Sequence, residues 1–392
     1  MRETDRLGPH RHRAGSESLL SRPSLRDRAL ALRDRLLASP QFQRWAAAFP
    51  LTRPVARRRA RDLFDLCAGF VYSQVLLACV RLGLFDMLRE GPRTASELSS
   101  RLSLPEEAAA RLLAAAVSLR LVERRGEEIY GLGALGAALL GNPGVAAMIE
   151  HHRLLYADLQ DPLALLRRSS GSATELSRYW AYASDESRES LSEDEVAAYS
   201  ALMSVSQPLV ANEILDACPL AGYRCLLDVG GGEGTFLLAV AHRYPHLQLM
   251  LFDLPAVAGR AKARFAASGL AQRATATGGD FLADALPEGA DLVSLVRVVH
   301  DHDDRSALTL LSAVRRVLPA DGTLLLAEPM SGARGAEPIG DAYFGFYLLA
   351  MGRGRPRTPQ RLSEMLRVAG FSNIRRVNTR MPLTTGLIVA RT

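Results

Sequence analysis

The chain has 392 residues, 48% of them apolar and 23% charged, which suits a globular protein with two or three cores and excludes disordered, collagenous and coiled-coil classes. No stretch approaches the roughly 18 uncharged apolar residues of a spanning helix, and the opening MRETDRLGPHRHR lacks the apolar centre of a signal peptide. The expectation is therefore a cytoplasmic protein, or one bound only peripherally to a membrane face. Residues 1–61 hold 15 Arg against 5 acids, a net +10, so the remainder of a chain with formal charge +6 stands at −4.

In chain order, residues 1–62 read as a basic arm in which Pro23, Pro40, Pro50 and Pro54 break short helical patterns such as LRDRALALRDRLLA. Such an arm is either solvated or in contact with anionic lipid or another protein. Lys262 is the chain's single lysine, so no arginine can be singled out by type alone. From Leu63 to Leu88 the run LFDLCAGFVYSQVLLACVRLGLFDML is apolar on nearly every helical face, which calls for burial by a partner, most simply a second subunit. Thr94 and Glu97 then have capping-box spacing, Pro105 precedes a second helix, and VERRGEEIYGL spells a hairpin. Residues 63–145 thus read as a winged helix. Nucleic acid is not the expected partner, because PEEAAARLLAAAVSLR presents Ala and Leu where base-reading side chains would stand. The four cysteines, Cys67, Cys79, Cys218 and Cys225, show no C-x-x-C pairing and read as buried thiols.

After a helical connector over 146–222, which is also expected to shape a substrate pocket, the chain from 223 to 392 alternates β-rich with helical runs: CLLDVG, LQLMLFD, ATATGGD, DLVSLVR and TLLLAEP are the strands. This pattern predicts an α/β domain with a parallel sheet covered on both faces. Ligands of such sheets bind at the carboxyl ends of the strands, so Asp228, Asp253, Asp280, Arg297 and Glu328 are expected to converge on one crevice.

Gly230, Gly232 and Gly234 alternate after the first strand, but Thr235 stands where a dinucleotide fingerprint would need its third glycine. Asp228 and Glu233 would repel phosphate and suit a cationic ligand, such as a sulfonium bearing an amino group. Asp253, 21 residues beyond Gly232, is placed to accept from ribose hydroxyls. Asp280 can accept from an adenine amino group, and Phe281 can pack on its ring. His300 opens His300-Asp301-His302-Asp303-Asp304 and reads as a general base. Asp303 and Asp304 read as helix cap and first-turn residues, so no metal is expected.

Together, LLDVGGGEGTF, LFDLP, GGDF, RVVHDHDD, and GRPRT before a helix ending VAGF resemble the S-adenosylmethionine-dependent O-methyltransferases of the caffeate and hydroxyindole type. The resemblance spans roughly residues 63–392. It implies a Rossmann-like seven-stranded methyltransferase domain, an N-terminal winged-helix dimerisation domain, and a homodimer. It implies cofactor roles for Gly230, Gly232, Asp253, Asp280, Phe281 and Arg297, the proton-acceptor role for His300, and an orienting role for Glu328. A second orienting acid of the family, in G-x-E-R-T, is replaced by Pro356 in Gly354-Arg355-Pro356-Arg357-Thr358. The arm and GDAYFGFYLLAMGRGRPRT further resemble the carotenoid-hydroxyl methyltransferases of purple photosynthetic bacteria, which implies methylation of the tertiary hydroxyl of an acyclic carotenoid, a membrane-borne substrate. The run Tyr343 to Met351 would suit a polyene channel or a dimer-core helix. A bacteriochlorophyll or phenolic polyketide as acceptor, and a winged-helix regulator that senses S-adenosylmethionine, are the alternatives.

Overall fold

A computed structural model describes residues 24–168, 173–180, 193–333, 335–380 and 385–392. It divides into two compact units, Met1–Gln74 and Val75–Thr392.

The first unit is helical. Ser24 and Asp27 form a reciprocal capping box at the start of helix Leu25–Ala38, and the Ser39 hydroxyl accepts from the Phe42 amide to open helix Pro40–Ala48. Pro40 and Pro54 therefore begin helices instead of breaking them, since first-turn amides have no intrahelical acceptor and a missing N–H costs nothing there. Pro23 lies outside the described residues. Trp45 stacks on Phe49 at 5.3 Å and tilts against Phe42 at 5.6 Å, with all three rings on the helix Pro40–Ala48 or at its end.

The long helix Arg53–Arg81 begins in this unit, and its Leu63, Phe64, Leu66 and Phe70 are exposed. Two expectations are corrected here. This helix is long and apolar enough to cross a membrane by length and composition, with an 18-residue window of mean hydropathy 1.8. The charge that interrupts the run, Asp65, stands alone between Leu63 and Val80 and does not lower the average enough. Cys67, on the same helix, is exposed; Cys79 and Cys218 are buried and Cys225 is partly so.

In the second unit, Gly83 adopts φ +65° and separates the long helix from helix Leu84–Arg89, which divides the Leu63–Leu88 run in two. Strand β1, Arg93–Thr94, leads into helix Ala95–Arg101 through the Thr94–Glu97 capping box, and helix Glu106–Ser118 follows. Strands β2, Val122–Arg124, and β3, Ile129–Leu132, pair antiparallel, and the small sheet has the order β1-β3-β2. Leu84, Phe85, Leu98, Leu113 and Tyr130 form its core, completing the winged helix.

The large sheet contains β4 (Cys225–Val229), β5 (Gln248–Asp253), β6 (Ala274–Gly278), β7 (Leu292–Val296), β8 (Thr323–Glu328), β9 (Ser372–Val377) and β10 (Gly386–Arg391). Its order is β6-β5-β4-β7-β8-β10-β9, parallel except for β10, which runs antiparallel to both β8 and β9. Every residue of β7 and β8 is buried, as a sheet covered on both faces requires. One face packs on helices Glu193–Ala217, Thr235–Arg243 and Pro255–Ala267, through Ile214, Val240 and Phe265. The other packs on Asp304–Val317 and Pro359–Val368, through Leu310, Val314 and Leu366. The order reverses at β4, between β5 and β7, which puts the switch-point crevice beside the glycine loop.

Candidate active site

Two adjoining cavities lie above the carboxyl ends of the strands. The first is lined by Gly230, Gly231, Gly232, Asp253, Asp280, Phe281 and Arg297, with Met203, Ser204 and Gln207 from the helix Glu193–Ala217. Gly230 and Gly234 have φ +70° and +77°, and a Cβ there would come within 2.8 Å of Val298 and 2.5 Å of Phe265. At Gly232, φ is +58° and an added Cβ would meet nothing within 4 Å, so backbone conformation, not crowding, selects glycine at this point.

The loop is fixed by Asp253, whose two carboxylate oxygens accept from the amides of Gly232 and Leu254, each at 2.7 Å. A carboxylate has about four acceptor positions, so two remain for the hydroxyls of a ligand. Burial pushes the Asp253 carboxyl up to about 6, against the lowering effect of the two amides. Asp280 accepts from the Leu282 amide at 2.9 Å, and the Phe281 ring meets the edge of His302 at 5.2 Å. Glu233, next to the loop, is ion-paired to Arg260 at 2.6 Å. These residues fit a nucleoside: there are acceptors for hydroxyls and an aromatic ring.

The second cavity is lined by His300, Arg297, Asp301, Tyr343, Phe344 and Tyr347, with Met148, Trp180, Met203 and Met351. It shares Met203, Arg297 and Asp301 with the first. His300 sits on a short 3-10 turn, Val299–Asp301, buried, between two carboxylates. Its Nδ1 hydrogen-bonds to Glu328 Oε2, and its Nε2 lies 3.1 Å from Asp301 Oδ1. The other Glu328 oxygen accepts from the amides of Val298 at 3.0 Å and Val299 at 2.7 Å. Burial disfavours the charged imidazole, but the Asp301 and Glu328 carboxylates outweigh it, and the His300 pKa is raised.

Backbone contacts hold this turn from a distant segment. The Arg355 amide donates to the His300 carbonyl at 2.9 Å, and the buried Arg357 donates to the carbonyls of Val299 at 2.8 Å and His302 at 2.7 Å while pairing with Asp304 at 2.9 Å. At Gly354, φ is +77° and a Cβ would fall 2.1 Å from the His300 carbonyl oxygen. The GRPRT stretch thus grips the backbone that carries His300.

Beside Arg297 and Asp301, the second cavity carries aromatic side chains that are hydrogen-bonded to neighbouring rings. Tyr347 accepts from Trp180 Nε1 at 2.9 Å and pairs with His151 Nε2 at 2.8 Å, while Tyr343 pairs with His152 Nε2 at 2.7 Å. Burial drives the His151 pKa down to about 4 and the Tyr343 pKa up to about 12, so both stay neutral near pH 7. The Tyr343–Met351 run lines this cavity, with Tyr347, Leu348 and Met351 buried in a cluster with Leu155, Leu176 and Trp180.

The expected single crevice is corrected in two respects. Asp228 is buried beneath the glycine loop, accepting from Ser294 Oγ at 2.6 Å, with its other oxygen so close to Gly231 that a Cβ there would fall 2.5 Å from it, and it lines neither cavity. Glu328 lies beneath the His300 turn and lines neither cavity. Gly230, Gly232, Asp253, Asp280, Phe281 and Arg297 do come together around the first cavity, and His300 and Arg297 around the second. His151, His152, Trp180 and Met203 were not expected; nothing in their local spacing marks them, because their partners lie far along the chain. Asp303 caps helix Asp304–Val317 by accepting from Ser306. Among the described residues no three His, Cys, Asp or Glu side chains are arranged to hold a metal.

A family described as the O-methyltransferase domain matches residues 159–372, and the O-methyltransferase dimerisation domain matches residues 64–142. Demethylspheroidene O-methyltransferase of Cereibacter sphaeroides is 44% identical over 342 residues, covering 87% of this chain and 89% of that protein. This chain belongs to the O-methyltransferase family. The corresponding protein of Rhodobacter capsulatus is 38% identical over 91% of this chain and 88% of its own length. The crystal structure of human N-acetylserotonin methyltransferase in complex with S-adenosylmethionine superposes with a TM-score of 0.70 at 27% identity, covering 85% of this chain and 97% of that one. The protein is an S-adenosylmethionine-dependent O-methyltransferase with a Rossmann-like catalytic domain and an N-terminal dimerisation domain. At this site Glu328 and Asp301 are the carboxylates against the His300 ring.

Proposed function

We propose that this methyltransferase transfers a methyl group to the tertiary hydroxyl of an acyclic carotenoid, as a homodimer, in the cytoplasm or at a membrane face. The single observation that carries the reading is the His300 cavity, where Arg297, His300 and Asp301 stand together and the remaining lining is aromatic and thioether, which favours a largely apolar molecule with one reactive hydroxyl. The extensive similarity to two demethylspheroidene O-methyltransferases supports the same acceptor class. The dimerisation domain supports the homodimer.

In this reading Asp253 accepts from the ribose hydroxyls, Asp280 and Phe281 hold the adenine, and the Gly230–Gly232 backbone makes room for the amino-acid tail. S-adenosylmethionine supplies the electrophilic methyl on a sulfonium. His300, with its Nδ1–H donated to Glu328, offers as proton acceptor its Nε2, which faces Asp301 Oδ1 at 3.1 Å in the structure and must turn to the acceptor hydroxyl for the transfer. As the O–CH3 bond forms and the S–CH3 bond breaks, the hydroxyl proton passes to Nε2, leaving the methyl ether and S-adenosylhomocysteine. Asp301 and Glu328 stabilise the imidazolium so formed, which matters because an alcohol gives up its proton less readily than a phenol. Most of the acceleration comes from holding the hydroxyl oxygen in line with the methyl.

The test is incubation of the purified protein with labelled S-adenosylmethionine and hydroxylated acyclic carotenoid in detergent, alongside a phenolic acceptor. Label in the carotenoid methyl ether supports the reading. Transfer to the phenol alone sinks it.

A further inference from the structure

The arm before residue 64 has a surface that the reaction does not use. Trp45 is 53% exposed, stacks on Phe49, and is followed by Leu51 at 81% and by the exposed Val55. Between residues 24 and 61 there are ten arginines against two acids, Asp27 and Asp34. Asp27 is engaged by its own helix cap and Asp34 by Arg33, while Arg57 and Arg59 have no carboxylate within ion-pair distance among the described residues. Exposed aromatic and aliphatic side chains in a segment rich in arginine, where of Arg57 to Arg59 only Arg58 pairs with a nearby acid, Asp62, among the described residues, are the composition of an interfacial segment, with rings at the headgroup boundary and guanidinium groups on the anionic surface.

We infer that this exposed surface of the arm, with Trp45, Phe49, Leu51 and Val55 and the arginines Arg57 to Arg59, docks on an anionic lipid surface. Two observations favour lipid over a second copy of the chain. The matched dimerisation domain begins at residue 64, downstream of these residues. A two-fold contact would also set the arm's positive charge against itself, whereas an anionic bilayer is its complement. The inference stands on the arm's own surface and does not depend on the identity of the acceptor.

The experiment uses the full-length protein with vesicles of phosphatidylglycerol and phosphatidylcholine, against pure phosphatidylcholine, at about 0.1 and 1 M salt, where the Debye length falls from about 10 to 3 Å. The chain has two tryptophans, and Trp180 is already 97% buried by its 3% exposure, so a blue shift of emission reports Trp45. The expected results are co-sedimentation with the anionic vesicles, weakened by salt, together with that blue shift. The triple variant Arg57→Gln, Arg58→Gln, Arg59→Gln should bind about 100-fold more weakly, at roughly fivefold for each arginine near the surface. Trp45→Ala with Phe49→Ala should also weaken binding, and these exposed positions leave the core intact. Equal sedimentation with both lipids, unchanged emission, or a triple variant that binds like the parent would each overturn the inference. Loss of dimer mass in the triple variant, with no dependence on lipid, would assign the surface to a second copy.

Discussion

The two cavities are built in different ways. The first is assembled by local rules: each of β4, β5 and β6 ends in a short turn, three glycines take positive φ, and Asp253 closes the loop through two backbone amides. The second is assembled from afar. Glu328 reaches His300 across 28 residues, Arg357 reaches Val299 across 58, and Tyr347 meets Trp180 across 167 and His151 across 196. A cofactor shared by a whole family can be held by a motif, whereas the acceptor side is shaped by segments that need only meet in the folded chain.

The largest expected effect separates the two. His300→Ala should lower turnover by a hundredfold or more, the usual range for a general base being about 10² to 10⁴, measured as kcat at saturating cofactor. Glu328→Gln keeps the volume but removes the charge that stabilises the imidazolium, and it should lower kcat while leaving the KM for cofactor unchanged. Asp253→Ala acts on the other cavity: loss of charge-assisted hydrogen bonds of about 1.5–3 kcal/mol should weaken cofactor binding by roughly 10- to 150-fold in calorimetry.

The pH dependence sharpens the same contrast. His300 must be neutral to accept a proton, and its pKa is raised, so the rising limb of kcat against pH should lie above 6.5. Asp301→Asn removes one of the raising charges and should move that limb downward; an unmoved limb would detach Asp301 from the ring. In the folded chain the His300 charge is a stabilising element, present at low pH and lost as pH rises through the raised value. Asp253 has the opposite consequence, because its carboxyl, at about 6, becomes protonated on acidification and loses acceptor capacity. Cofactor affinity should therefore decline as pH falls through 6. The smallest effect is expected from Tyr347→Phe, which leaves Trp180 Nε1 and His151 without their shared hydroxyl and should cost about 1–3 kcal/mol of stability in chemical denaturation.

This contrast also explains what could be read from the sequence. The runs CLLDVG, LQLMLFD, ATATGGD, DLVSLVR and TLLLAEP all became strands, because buried parallel strands are short apolar runs between turn signals. The spacing of Gly230, Gly232 and Asp253 survives folding because one βαβ unit carries them all. Asp228 was misplaced because both faces of β4 are covered, and the glycine loop that follows closes over its carboxylate, which the sequence Asp-Val-Gly does not show. The His–Tyr pairs were illegible because no periodicity links His151 to Tyr347 or His152 to Tyr343. In the GRPRT stretch the sequence singles out Pro356, yet the stretch supplies Arg357, whose three hydrogen bonds appear only when Val299, His302 and Asp304 are close in space.

The central claim is that cofactor binding and proton removal reside in separate cavities that share only Met203, Arg297 and Asp301. Calorimetric titration of S-adenosylmethionine into His300→Ala and Asp253→Ala, side by side with the parent, tests it most directly. His300→Ala should bind within about twofold of the parent and Asp253→Ala at least about tenfold more weakly, the scale of one lost charge-assisted hydrogen bond. A His300→Ala protein that loses affinity as much as Asp253→Ala, or an Asp253→Ala protein that binds like the parent, would contradict it.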